Sequence, residues 1–278
     1  ATAQEIRDAV IAFRAGGKKA IAFAETFGEF APGNTSYFLA TGFDEIVLQP
    51  SGDIGLNGVL MESMFLAGTL EKLGVQPRMD HRYEYKNAMN TFTEKTYTPA
   101  HEEAMLGIAT SWHEQLIEAI ASSRGKTVED VRTLIDQGPY LGTEAVEAGL
   151  VDRTGYWDEV SDLVEAAAGT AITRQGLGAY LERAGRPHTK GDTIALIYGA
   201  GGVQRGKSKV DPLSGGFTMG SDTVAKALRD AVDDDAVKAI LFRVDRPGGS
   251  YVASHAIRRE PVRAKEAGKP IIVSMGNV

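Results

Sequence analysis

The chain has 278 residues, 43% of them hydrophobic, with a formal net charge of −7 and no cysteine. This length suffices for one large core or two modest ones. The acidic, interspersed charge excludes the basic footprint of a nucleic-acid binder, and the lack of cysteine excludes disulfides and thiolate metal sites.

In chain order the pattern alternates helix and strand. Ala3 to Phe13 is amphipathic and stops at Gly16-Gly17. A strand follows at Ala20 to Ala24, then a loop from Gly28 to Asn34, a short helix at Ser36 to Ala40, and a strand at Glu45 to Leu48 closed by Pro50. Gly52, Gly55 and Gly58 punctuate a loop before a predicted helix from Leu60 to Leu73. Pro99 stands where a first-turn proline is tolerated and opens a long helix to Arg124. Further helices are expected at Thr127 to Ile135, Thr143 to Ala148 and Asp158 to Ala168.

Gly169 to Asp192 lacks apolar periodicity and reads as a linker, so the expected division is 1–168, linker 169–192, and 193–278. The last part opens with a strand, Thr193 to Tyr198. A mobile loop rich in Gly, Ser and Lys is expected at Arg205 to Gly220, then a helix at Ser221 to Val232 and a buried strand at Ala239 to Val244. Lys269 to Met275 reads as a further buried strand, after the Gly268-Lys269-Pro270 break.

Two short matches point to an internal duplication. Ile6-Arg7 and Ile257-Arg258 are 251 positions apart, and Gly17-Lys18 and Gly268-Lys269 share that interval. Both pairs sit in the frame helix, glycine stop, lysine, apolar strand. The expectation is a duplicated α/β unit, with the first copy nearly complete and the second truncated. The chain starts at Ala1 rather than Met and ends just after a strand, so both ends read as cut. No run approaches the ~20 apolar residues of a membrane span, and no leader peptide is visible.

Lys86, in Arg82-Tyr83-Glu84-Tyr85-Lys86-Asn87-Ala88, is the residue with most chemical promise. A lysine amine in apolar and aromatic surroundings loses its proton more easily, because desolvation disfavours the ammonium. A neutral amine can then activate a serine hydroxyl. On spacing alone, Lys86 reads more readily as a solvated charge near a strand end. Asp245-Arg246-Pro247-Gly248-Gly249-Ser250 supplies a second feature, a glycine pair between a strand and a helix start. Its backbone N–H groups could hold an anion or an oxyanion, or Gly248-Gly249 could simply turn the chain while Ser250 caps the helix.

Other motifs are weaker. Gly201 to Ser208 fits Gly-x-x-x-x-Gly-Lys-Ser, but Pro212 and Gly215-Gly216 leave no helix at Lys207, so a mobile loop is expected rather than a nucleotide site. His81, His101, His113, His188 and His255 show no metal-ligand spacing, and no cofactor is expected. Ser250 lacks a full nucleophile elbow, since Val252 takes the place of the last glycine.

Val244 to Ser250, Ala253-Ser254, Ile257-Arg258 and Ala267 to Gly276 together resemble the signal peptide peptidase A (protease IV) family of serine peptidases, in its long duplicated bacterial form. Tyr85-Lys86-Asn87-Ala88 is similar to the family's Tyr-Lys-Ser-Ala segment. Gly142 to Asp152 is similar to the stretch that closes each repeat in this family and its ClpP/crotonase-fold relatives. The likeness covers nearly the whole chain.

The resemblance implies a ClpP/crotonase-like α/β fold and a Ser-Lys dyad. Lys86 would be the general base, with a pKa lowered by roughly 3 units through burial, and Gly248 and Gly249 would supply oxyanion-hole N–H groups. The nucleophile would lie about three residues past Val278, so this chain is expected to be inactive alone. Substrates would be hydrophobic signal-peptide remnants. The protein would form homo-oligomers on the periplasmic side of a bacterial inner membrane, anchored by a segment upstream of Ala1. Three departures stand out. Arg246 replaces a small serine, Asn87 replaces a serine beside the lysine, and Pro261 should kink or interrupt its helix. A non-catalytic scaffold of the same fold and a crotonase-like acyl-CoA enzyme remain as alternatives.

Overall fold

The apolar runs that read as strands sit at the centres of two separate cores. The structure is a computed structural model describing residues 2–29, 32–185, 190–210, 216–245 and 248–276. It divides into two compact units, one of Ala3–Ile172 and one built on Thr173–Val278. Both mix helices with parallel sheet, so the protein is of the α/β class.

The first unit begins with α1 (Thr2–Ala15), β1 (Ile21–Ala24), α2 (Asn34–Ala40), β2 (Glu45–Leu48) and β3 (Asp53–Ile54). It continues through α3 (Ala67–Lys72), α4 (Asn90–Thr93), α5 (Pro99–Arg124), α6 (Val128–Gln137), β4 (Tyr140–Leu141), α7 (Gly142–Glu147), β5 (Arg153–Thr154) and α8 (Trp157–Ala168). The main sheet runs β1-β2-β5 and is parallel, with Ile21 opposite Glu45 and Leu48 opposite Thr154. Ile46, Val47 and Leu48 are all buried, as befits a strand covered on both faces. Tyr37, Ile54, Leu56, Ile117, Ile120, Val131 and Leu150 complete this core.

Local chemistry sets the helix ends. The Thr98 hydroxyl caps α5 by accepting from His101 N (3.3 Å), Pro99 fills the first turn, and Gly125 closes the helix in the left-handed conformation. Thr127 and Asp130 form a reciprocal capping box on α6. At the far end of α5, Arg124 donates two bonds to the Asp152 carboxylate (3.0 and 3.1 Å) and one to Gly149 O (2.8 Å). Asp152 also accepts from Ile46 N (2.7 Å), which binds the β5 approach to β2.

The second unit contains α9 (Leu177–Ala184), β6 (Thr193–Ala200), β7 (Gly202–Gln204), β8 (Lys209–Val210) and β9 (Phe217–Gly220). These lead to α10 (Ser221–Asp233), β10 (Val237–Asp245), α11 (Tyr251–Glu266) and β11 (Ile271–Met275). One parallel sheet runs β11-β10-β6 and a small mixed sheet runs β7-β9-β8. Leu228, Ile240, Phe242, Ile257 and Ala264 form the core. Lys269 Nζ donates to the carbonyls of Ala231, Val232 and Asp234, so this lysine caps the open end of α10.

Several expectations need correction. The helix predicted over Leu60 to Leu73 is confined to Ala67–Lys72. Immediately before that helix, Leu66 N donates to Thr91 O (2.6 Å), and upstream of the segment Asn34 Nδ2 donates to Gly58 O (2.6 Å). The loop expected to be mobile carries β8 and β9, because Thr218 bonds Lys209 and Gly220 N donates to Ser208 Oγ. Its Pro212 and Gly215 lie outside the described residues. The strand expected to be buried at Ile271–Met275 lies at the edge of its sheet, with Ile272 66% exposed. The region read as a linker holds α9.

Pro261 does not break α11, which runs continuously across it. Ile257 and Ala264 are buried on either side, and the Glu260 carboxylate bonds Arg229 of α10 (2.7 Å) and Arg263 (3.3 Å). Packing over several turns compensates for one absent N–H.

Burial alone would push the Asp152 carboxyl up, but the Arg124 guanidinium and the Ile46 N–H outweigh it and hold the group below its ordinary value. A depressed native pKa means its stabilisation is present above about pH 4 and lost as pH falls through the native value. Replacing Asp152 by Asn is expected to cost about 1–3 kcal/mol at pH 7 in urea unfolding. The wild type should then lose more stability than the variant on titration below pH 4.

Candidate active site

The residues singled out in the sequence lie on different units: Lys86 on the first, Gly248 and Gly249 on the second. Lys86 stands on an irregular stretch between α3 and α4. Tyr83 is the single non-glycine residue with positive φ among the described residues (63°), a conformation that costs about 1 kcal/mol or more and turns the chain sharply. The turn is held through the Tyr83 carbonyl, which accepts from His81 Nδ1 (2.6 Å) and from Lys86 N (3.4 Å). The Arg82 guanidinium lies over the Tyr83 ring at 5.3 Å.

Tyr85 reaches α5, its hydroxyl donating to Glu103 Oε2 (2.9 Å). That bond to a carboxylate pushes the phenol pKa up. The Lys86 side chain is exposed, and among the described residues its amine makes no hydrogen bond or ion pair. The two neighbouring tyrosines therefore do not bury it. Its own unit presents the amine to solvent.

The glycine pair is tightly built. Val203 N donates to Gly248 O (3.1 Å) and Ser250 N donates to Val203 O (2.8 Å), so β7 grips the turn from both sides. Gly248 has φ 118° and Gly249 φ 154°. A Cβ on Gly249 would sit 2.3 Å from the Val203 carbonyl oxygen, whereas one on Gly248 would meet open space. Among the described residues neither Gly248 N–H nor Gly249 N–H has a hydrogen-bond partner, and both residues are exposed. This is an arrangement of donors that can receive a carbonyl oxygen carrying developing charge. Arg246, noted as a departure, lies outside the described residues.

Ser250 is the N-cap of α11, its Oγ accepting from Ala253 N (3.3 Å), which is the structural reading of that serine. Ser36 bonds Gly33 O (3.0 Å) within the start of α2. The Gly201 to Ser208 segment spends its polar groups on α10: Asp222 N donates to Gly206 O (2.9 Å), Gly206 N to Ser221 Oγ (3.3 Å), and Ser208 N to Thr223 Oγ1 (2.9 Å). A phosphate cradle needs those amides pointing at the ligand. Of the histidines, His101 is buried, His113 lines an open cleft with Asn57 and Asp136, and His188 lies outside the described residues. Among the described residues no group of three or more His, Asp or Glu side chains is placed to hold a metal ion.

The grip of Val203 and the tethers from Lys86's segment to α5 went unread in the sequence. No residue type marks them, since the first is a backbone contact between segments over 40 positions apart. The left-handed turn at Tyr83 likewise has no glycine or asparagine to announce it.

The chain is of the α/β class, with Lys86 exposed on one unit and the Gly248-Gly249 turn on the other. The family profile of peptidase family S49 matches residues 12–171, and the chain belongs to that family. It is 28% identical to a chloroplastic serine protease SPPA of Arabidopsis thaliana over 286 residues, covering 99% of this chain and 40% of the relative. It is 30% identical to a Protease 4 of Salmonella typhi (96% of this chain, 43% of the relative), and 27% to one of Haemophilus influenzae (98% and 45%). The chain thus spans less than half the length of these relatives.

Substituting Gly249 by Ala is expected to lower the melting temperature more than substituting Gly248, because only the former meets backbone. Estimated losses are about 3 kcal/mol or more against about 1–2 kcal/mol. Paired thermal melts check the order. Equal losses would contradict the role of Val203.

Proposed function

We propose that this chain carries the general base and the oxyanion donors of a serine peptidase with a Ser-Lys dyad. The observation that carries the reading is the Gly248-Gly249 turn, fixed by Val203 with its two N–H groups unspent among the described residues. Membership of peptidase family S49 supplies the reaction class.

In this reading the neutral Lys86 amine takes the proton of a serine hydroxyl as the oxygen attacks a peptide carbonyl. The carbonyl oxygen becomes an oxyanion and receives the Gly248 and Gly249 N–H groups. Lys86 then passes the proton to the departing amine nitrogen, leaving an acyl-enzyme that water hydrolyses. Exposed on its own unit, Lys86 would need cover from elsewhere in the assembled protein to serve as a neutral amine. The same exposure favours the second reading, a non-catalytic scaffold of this fold.

The duplicated ClpP/crotonase-like architecture belongs to this proposal, with repeats at 1–168 and 193–278. Helix α1 ends at Ala15 and α11 at Glu266, β1 ends at Ala24 and β11 at Met275, and both Gly17 and Gly268 have positive φ, all at the 251-position interval. The nucleophile would come from polypeptide following Met275-Gly276, as the resemblance requires. Substrates would be hydrophobic peptides such as cleaved signal peptides, handled by an oligomer at the periplasmic face of a membrane. Among the described residues no helix is long and apolar enough to cross a membrane.

Turnover of a peptide ester and labelling by a fluorophosphonate test the reading. Residues 1–278 alone are expected to show neither activity. A polypeptide continued to the length of the relatives should show both, and Lys86→Ala there should reduce turnover by about 10²–10⁴-fold. Unchanged turnover in that variant would leave only the scaffold reading for this lysine.

A further inference from the structure

A general base must be held to within about 0.5 Å of its productive position, and loop-borne side chains meet that only when their backbone is tied down. The stretch carrying Lys86 has no regular structure, yet it is fastened to the first turns of α5 on both sides of the lysine. Before it, Tyr85 bonds Glu103. After it, Asn90 is held by a buried cluster.

That cluster is unusual for its place. Asn90 is 4% exposed and His101 6% exposed, under a surface that is otherwise open. Asn90 Nδ2 lies 3.4 Å from His101 Nδ1 and 3.5 Å from Thr98 Oγ1. An amide nitrogen only donates, so His101 Nδ1 is the acceptor in this contact. Aromatic rings enclose the imidazole: Tyr97 at 4.9 Å and Phe65 at 6.0 Å, themselves in edge contact at 5.1 Å. The backbone of Asn90 closes the connection, since its N–H donates to Asn87 O (2.9 Å), the residue after Lys86.

A polar pair taken out of water in this way gains little stability over an apolar pair of similar size. What it does provide is one geometry, because the amide and the imidazole bond in a single relative orientation. We propose that His101 and Asn90 are positioning residues for Lys86, clamping the turn that carries the base to the first turns of α5. The proposal rests on Lys86 acting as the base, and neither side chain is given any part in the chemistry itself.

The test compares His101→Leu, which fills the volume without the acceptor, with His101→Gln, which restores a carbonyl acceptor for Asn90. In the 278-residue chain, hydrogen exchange of the Lys86 and Asn90 amides, which donate the backbone bonds of this turn, should rise about tenfold or more in the Leu variant at nearly unchanged melting temperature, and return toward wild type in the Gln variant. In the polypeptide continued to the length of the relatives, kcat should fall about ten- to a hundredfold with Leu while KM is unchanged, with Gln recovering most of it. Asn90→Ala, tested alongside, should match the Leu variant in both readouts, and serves if Leu fails to fold. Wild-type exchange and kcat in the Leu and Ala variants would overturn the proposal, as would a loss that Gln does not rescue. If Lys86→Ala leaves turnover intact, the dyad fails on its own, while the exchange comparison still decides whether His101 orders this turn.

Discussion

The first unit depends on the junction where Arg124, Asp152 and Ile46 meet. One carboxylate accepts from the guanidinium at the end of α5 and from the backbone of β2, so it fixes the long helix against the sheet. Removing it would leave an arginine with 13% side-chain exposure without its counter-charge, and an unpaired N–H beside the core. Everything α5 carries at its opposite end inherits its position from this bond set. That end is roughly 39 Å away for 26 residues at 1.5 Å each. It holds Thr98, His101 and Glu103, the groups that receive the Lys86 stretch.

The helix therefore has two separate duties. Its C-terminal half, through Leu116, Ile117, Ile120 and Ala121, belongs to the core. Its N-terminal half is largely exposed and serves as a mount for a segment with no regular structure of its own. The backbone on either side of Lys86 is tied to that mount through Tyr85 and Asn90, while the lysine side chain itself faces solvent.

Much of this was legible in the sequence where local physics decides. Pro99 and Gly125 bracket α5, the Thr127 to Asp130 box starts α6, and the all-apolar core of β2 marks a doubly covered strand. The reading failed where distant segments decide. Leu60, Met64 and Ala67 have helical spacing, but the helix begins only at Ala67, after Leu66 N has bonded Thr91 O. The glycine, serine and lysine of the Gly201 to Ser208 segment suggested mobility, yet Gly206 and Ser208 bond the first turn of α10 and Val203 grips the 248–249 turn. Of the candidate site, the glycine turn and the lysine were readable as residue types. Their fastening was not, because backbone contacts across long separations leave no pattern in the residues that make them.

The fit at Gly249 has one further implication. Because β7 lies against its α-carbon and bonds Gly248 and Ser250, the chain enters α11 along a path fixed by β7 as well as by the packing of α11 itself. Any side chain at position 249 would have to displace backbone, so the close approach of β7 and the glycine are each a condition of the other.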